Sequence, residues 1–194
     1  MFSNLDRRIF GIALPSIVSN ITVPLLGLVD VAVTGHMGNS TSQAEAPSLP
    51  ASFYVGAIAV GGMLFNVIYW MFGFLRMGTG GETAQAWGRK DLDGVVLLLV
   101  RSLLLALVLA LLLMALSPLV REGALWYIAP EAEVATLART YFNICIWGAI
   151  PALGLFAMNG WYIGMQNSRF PMIVAIAQNL LNIVCSIVFV YVLG

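Results

Sequence analysis

Five stretches of this 194-residue chain are long and apolar enough to cross a lipid bilayer, and that decides what it can fold into. A spanning helix needs about 20 mostly apolar residues. The candidate spans cover about 9–36, 53–75, 95–116, 137–161 and 170–193. Only 9% of the residues are charged and 60% are hydrophobic. A water-facing domain carries about 25% charged residues, so this chain could not coat a soluble surface. The expected class is an all-α integral membrane protein with five transmembrane helices. The second span can continue as a helix through Glu82–Trp87, beyond the bilayer.

The balanced charge of nine basic and nine acidic residues gives a nucleic-acid partner no footing. Cys145 and Cys185 lie in apolar runs, outside any C-x-x-C or Cys/His cluster, and read as packing residues. No metal site, G-x-S-x-G, H-E-x-x-H or P-loop pattern is present, so no enzyme is expected. The N-terminus carries Arg7 and Arg8 before a first span too long for a signal peptide, and is read as a signal anchor. Basic residues mark the cytoplasmic side. Arg7, Arg8, Arg76, Arg89, Lys90, Arg101 and Arg169 fall at one set of span ends, Arg121 and Arg139 at the other. The N-terminus is therefore expected in the cytoplasm. Trp126, Tyr127, Trp161 and Tyr162 lie near span ends, as interfacial anchors do.

Within the first span sits Asp30. A carboxylate in mid-membrane costs about 2.5–3.5 kcal/mol on insertion scales, and such residues usually face the bundle interior and do work there. At 100° per residue Ser16, Ser19, Gly27 and Thr34 lie within about 60° of it. Pro24 lacks an amide donor and clashes with the carbonyl of Asn20, near the same stripe. The kink could line a cavity or serve packing alone. On the fifth span Gln178, Asn179, Asn182 and Ser186 share a face; they read as interhelical hydrogen-bonding groups or as a cation site with Asp30. The fourth span aligns Tyr141 with Cys145 and Gly148, and Pro151 is placed to break it. Asn66, Tyr69 and Gly73 share a face of the second. Gly160 and Gly164 match G-x-x-x-G, a pattern that glycine-rich membrane chains produce often and that gets little weight here.

The stretch from Ile21 to His36, ITVPLLGLVDVAVTGH, resembles the first helix of multidrug and toxic compound extrusion (MATE) transporters, in their DinF-like branch. Phe74–Gly88, Gly164–Met172 and Asn179–Val184 resemble the end of the second helix, the loop between the fourth and fifth, and the fifth helix. The resemblance implies helices one to five of a twelve-helix, two-lobe fold. The sixth helix and C-terminal lobe would then be absent, and the 194 residues would not transport alone. It further implies a bacterial inner-membrane antiporter that exports small organic compounds in exchange for protons or sodium, without another cofactor. Asp30 matches the family's first-helix aspartate and Asn182 its fifth-helix asparagine; Tyr141 matches a fourth-helix tyrosine by spacing only. The common motif Asn-Ile-Val-x-Asp reads Asn182-Ile-Val-Cys-Ser186 here, so Ser186 replaces a second carboxylate. The loop at 39–49 is a second departure, by insertion. A single acid among neutral neighbours favours a proton carrier, because burial without a cationic partner disfavours the charged form of a carboxyl. A lipid-linked substrate flippase of the same superfamily and a non-transporting five-helix protein stay open as alternatives.

Overall fold

The computed structural model describes Ile17 and residues 50–192. Asp30, Pro24, Gly27 and Thr34 lie outside the described residues, as does the expected first span apart from Ile17. Among the described residues all regular structure is helical. The helices are α1 (Ala51–Met71), α2 (Gly73–Gly88), α3 (Leu92–Ile128), α4 (Ala132–Cys145), α5 (Ala149–Gly164) and α6 (Arg169–Val192). Contacts divide the chain into two units, Phe53–Met165 on one side and Met1–Ser52 with Gln166–Gly194 on the other.

In the first of these units, α1 and α2 form one 37-residue rod from Ser52 to Gly88. At 1.5 Å per residue it is about 55 Å long, against about 40–45 Å for a bilayer with its headgroups. The rod therefore projects beyond the membrane, as the expected helical extension through Trp87 requires. Its one irregularity is Phe72, beside Gly73, where the Leu75 amide bonds back to the Phe72 carbonyl at 3.0 Å. The helix stops in a Schellman turn. Asp91 N–H donates to the Ala86 carbonyl and Lys90 N–H to that of Trp87, both at 3.0 Å. This puts Lys90 at φ 60°, a conformation glycine adopts most easily. The Asp91 side chain then caps α3 by accepting from Gly94 N–H at 2.9 Å.

The third span differs from expectation. It runs to Ile128, taking in residues 117–128 that read as a loop. Pro118 sits inside it. Proline removes one backbone bond and crowds one carbonyl, a loss membrane helices tolerate. The real stop is Ala129-Pro130, with Ala129 left-handed at φ 46°. The fourth span holds a 3₁₀ turn at Ile146–Gly148 between α4 and α5. Proline acts on the carbonyl four residues earlier, so Pro151 disturbs Trp147 and the break falls ahead of the proline.

Three buried clusters run along this unit. Leu75, Ala106, Ala110, Leu153 and Ala157 form the one nearer the Lys90 turn. Phe65, Ile68, Leu113, Phe142, Ile146 and Ala149 form the middle one, and Ala57, Leu125 and Ala138 the far one. Alanine recurs because packing in lipid is driven by close backbone approach. The closest approach is between α2 and α5. A Cβ on Gly164 would lie 2.7 Å from both the Gly80 carbonyl oxygen and Thr83 Cβ, and one on Gly160 would overlap the Arg76 carbonyl. The G-x-x-x-G pair, given little weight in the sequence, is thus where α5 seats on α2. Trp161 Nε1–H donates to the Val95 carbonyl at 2.9 Å and ties α5 to α3. Leu104, Val108, Leu111 and Leu112 remain exposed on the outer face of α3, as a lipid-facing surface would be.

Candidate functional site

The polar face expected on the last span is present on α6. Gln178 and Asn182 are exposed; Asn179 and Ser186 are half-buried. Asn182 and Ser186 stand one turn apart, and the Ser186 hydroxyl donates to Asn182 Oδ1 at 3.4 Å. That is long for an O–H···O bond. It turns the Asn182 carbonyl oxygen toward Ser186, the position where a carboxylate would have placed a charge. The pair is one donor and one acceptor and carries no fixed charge.

Tyr141 belongs to the other unit. Its ring abuts Gly61, where any Cβ would overlap it, and meets Phe65 edge-on at 6.4 Å between centroids and 68° between planes. Gly61 is therefore the reason α4 can bring a tyrosine against α1. The aromatic chain continues from Phe65 to Tyr69, stacked at 5.8 Å, and from Tyr69 to Phe156 at 6.3 Å.

Tyr69 and Phe156 also line a groove of about 890 Å³, with Asn66, Trp70, Phe74 and Arg76. Sites for drug-sized molecules occupy about 300–1,000 Å³ and combine apolar walls with a few polar groups. This groove has that size but lies open, with Trp70 82% exposed. Asn66 and Tyr69 share a helix face that the sequence had already grouped. Arg76 was read only as a residue near a span end; Tyr69, Trp70 and Phe74 reach the groove from the same rod, and the parallel packing of α5 on α2 adds Phe156. At the opposite end of the unit, Arg139 is paired. Its Nη2 lies 3.0 Å from Glu122 Oε2, Arg121 Nε bonds the same carboxylate at 3.0 Å, and Arg121 Nη1 reaches Asn143 Oδ1. No cluster of three or more metal-ligating side chains occurs among the described residues.

Long apolar helices, small-residue contacts between them and a polar face on α6 describe a multi-pass helical membrane protein. The family model described as MatE matches residues 15–188. The chain belongs to the MatE family. It is 37% identical over 182 residues to the "DNA damage-inducible protein F" of Escherichia coli, covering 94% of this chain and 37% of that protein. It is 26% identical over 186 residues to a "Probable multidrug resistance protein NorM" of Bradyrhizobium diazoefficiens. A protein of the same description from Thermotoga maritima is 27% identical over 185 residues. The chain spans a little over a third of the length of these relatives. No solved structure matches it.

Proposed function

We propose that the protein acts in cation-coupled export of small organic compounds, with Asp30 as the coupling carboxylate. The observation that carries this reading is the extent of the family match, which takes in both Asp30 and the α6 polar face. Two relatives bear names that state multidrug resistance. In this reading Asp30 binds a proton from the outer side and releases it to the cytoplasm. Asn182, Asn179 and Ser186, with Gln178 beside them, provide neutral hydrogen-bonding partners; Tyr141 is carried over from the family resemblance alone. Gly27 and Thr34 keep the stripe around the acid narrow and polar. Pro24 is the hinge at which the first helix bends as the acid changes charge. The aromatic groove with Arg76 and Asn66 forms one wall of the substrate path. The protein lies in the bacterial inner membrane with its N-terminus in the cytoplasm.

Protons are favoured over sodium because Ser186 stands where a second acid would raise the site's negative charge. Asp30→Asn, placed in the open reading frame that carries this sequence and expressed in an efflux-deficient bacterium, is expected to abolish resistance while leaving the membrane level of the protein unchanged. Resistance equal to that of the parent would refute the assignment. Ser186→Asp adds a carboxylate beside Asn182 and is expected to make export respond to sodium. Export by this variant that stays indifferent to sodium contradicts the role given to Ser186.

A further inference from the structure

The groove on the α1–α2 rod has a cation toward one end and an amide at the other. Asn66 and Arg76 are ten residues apart, about 15 Å along the rod. Between them the walls are rings. Tyr69 and Phe156 meet edge-on at 6.3 Å between centroids, and Trp70 and Phe74 follow. Gly73 lies among these residues, and an added Cβ there would meet nothing within 4 Å. A flat ring system therefore has faces to stack on and bare backbone beneath it.

No acidic side chain lines this groove. The ion pairs among the described residues join Arg121 and Arg139 to Glu122, and none engages Arg76. The uncharged stretch of the rod, Ala51–Leu75, rises about 37 Å, against about 30 Å of hydrocarbon. That stretch spans the core, and Arg76 closes it at one boundary with the rings inside. A helical Cα–Cβ bond tilts toward the N-terminus, which for Arg76 is the direction of the rings. Charged side chains beside the hydrocarbon face protein or a wet cavity rather than lipid.

Aromatic walls alone favour cationic compounds, because a cation is drawn to ring faces. A fixed guanidinium beside the rings opposes that preference, since like charges repel more strongly where water is scarce. It also offers a planar fork of N–H donors that matches a carboxylate. We infer that Arg76 is a charge filter on this groove. Aromatic compounds that carry a carboxylate are preferred, and those whose only charge is positive are disfavoured without being excluded. The carboxylate meets Arg76 at the boundary, and the ring system stacks on Trp70, Tyr69 and Phe156 over Gly73. The inference rests on reading this groove as a wall of the substrate path.

The test is fluorescence polarisation with the whole protein encoded by the open reading frame that carries this sequence, purified in detergent. The probes are a rhodamine with a free carboxylate and the methyl ester of the same dye. The parent is expected to bind the acid about tenfold more tightly than the ester, which corresponds to about 1.4 kcal/mol. Arg76→Gln should bring that ratio close to one by weakening the acid, and Arg76→Lys should keep part of the preference. Trp70 is 82% exposed, so Trp70→Ala should fold like the parent and weaken both dyes alike. A dissociation constant does not depend on the yield of a variant. If Trp70→Ala leaves both constants unchanged, the groove is not a substrate wall, and that reading falls together with the filter. If Trp70→Ala weakens both dyes while the parent binds acid and ester equally, or while Arg76→Gln keeps the parent's ratio, the filter alone is overturned.

Discussion

Gly160 and Gly164 carry the tightest helix contact, and any side chain there meets backbone rather than a movable neighbour. Gly160→Leu should destabilise the protein by about 1–3 kcal/mol, the usual cost of overpacking, read as a lower unfolding temperature in detergent. Gly154 has nothing within 4 Å of an added Cβ, so Gly154→Ala should unfold like the parent. Equal behaviour of the two variants contradicts the assigned contact. Lys90 occupies a left-handed turn position. Lys90→Gly relieves about 1–2 kcal/mol of backbone strain, less the chain entropy that glycine adds, and a small rise in unfolding temperature is expected; a fall contradicts it. The sequence contained G-x-x-x-G but could not say that it mattered, because the pattern does not name its partner. The partner is the Arg76–Thr83 stretch of α2, which comes next to Gly160 only through tertiary packing.

Helix existence was legible because apolar length is a strong signal, whereas helix ends were not. Residues 117–128 read as a loop because they gather charge and aromatic residues, yet those residues mark a helix leaving the hydrocarbon rather than ending. The reliable stop was Pro130 behind a left-handed Ala129. Pro151 signalled a break, but its effect falls on Ile146–Gly148, as its clash with an earlier carbonyl requires. Pro151→Ala restores an amide donor to the Trp147 carbonyl. Hydrogen exchange across 147–151 should then slow toward that of the flanking helix; unchanged exchange would place the cause of the 3₁₀ turn elsewhere.

Across the whole molecule, charge placement matches a bilayer. Arg101 and Arg121 bracket an uncharged helix of hydrocarbon length, and Glu122 gathers Arg121 and Arg139 at the far boundary. Exposed ion pairs of this kind add little stability, so their use here is to keep cations at the membrane surface. The polar face of α6 was legible from helical spacing alone. The aromatic groove was only half legible, since Asn66 and Tyr69 share a helix face but Phe156 reaches them from a distant segment. The central claim rests on Asp30, and coupled flux tests it most directly. In everted membrane vesicles energised to an acid interior, a transported cationic dye should release protons, read as dequenching of a pH-sensitive fluorophore. Vesicles carrying the parent sequence are expected to dequench and those carrying Asp30→Asn to stay quenched. Equal dequenching from both would mean that the proton does not travel on Asp30.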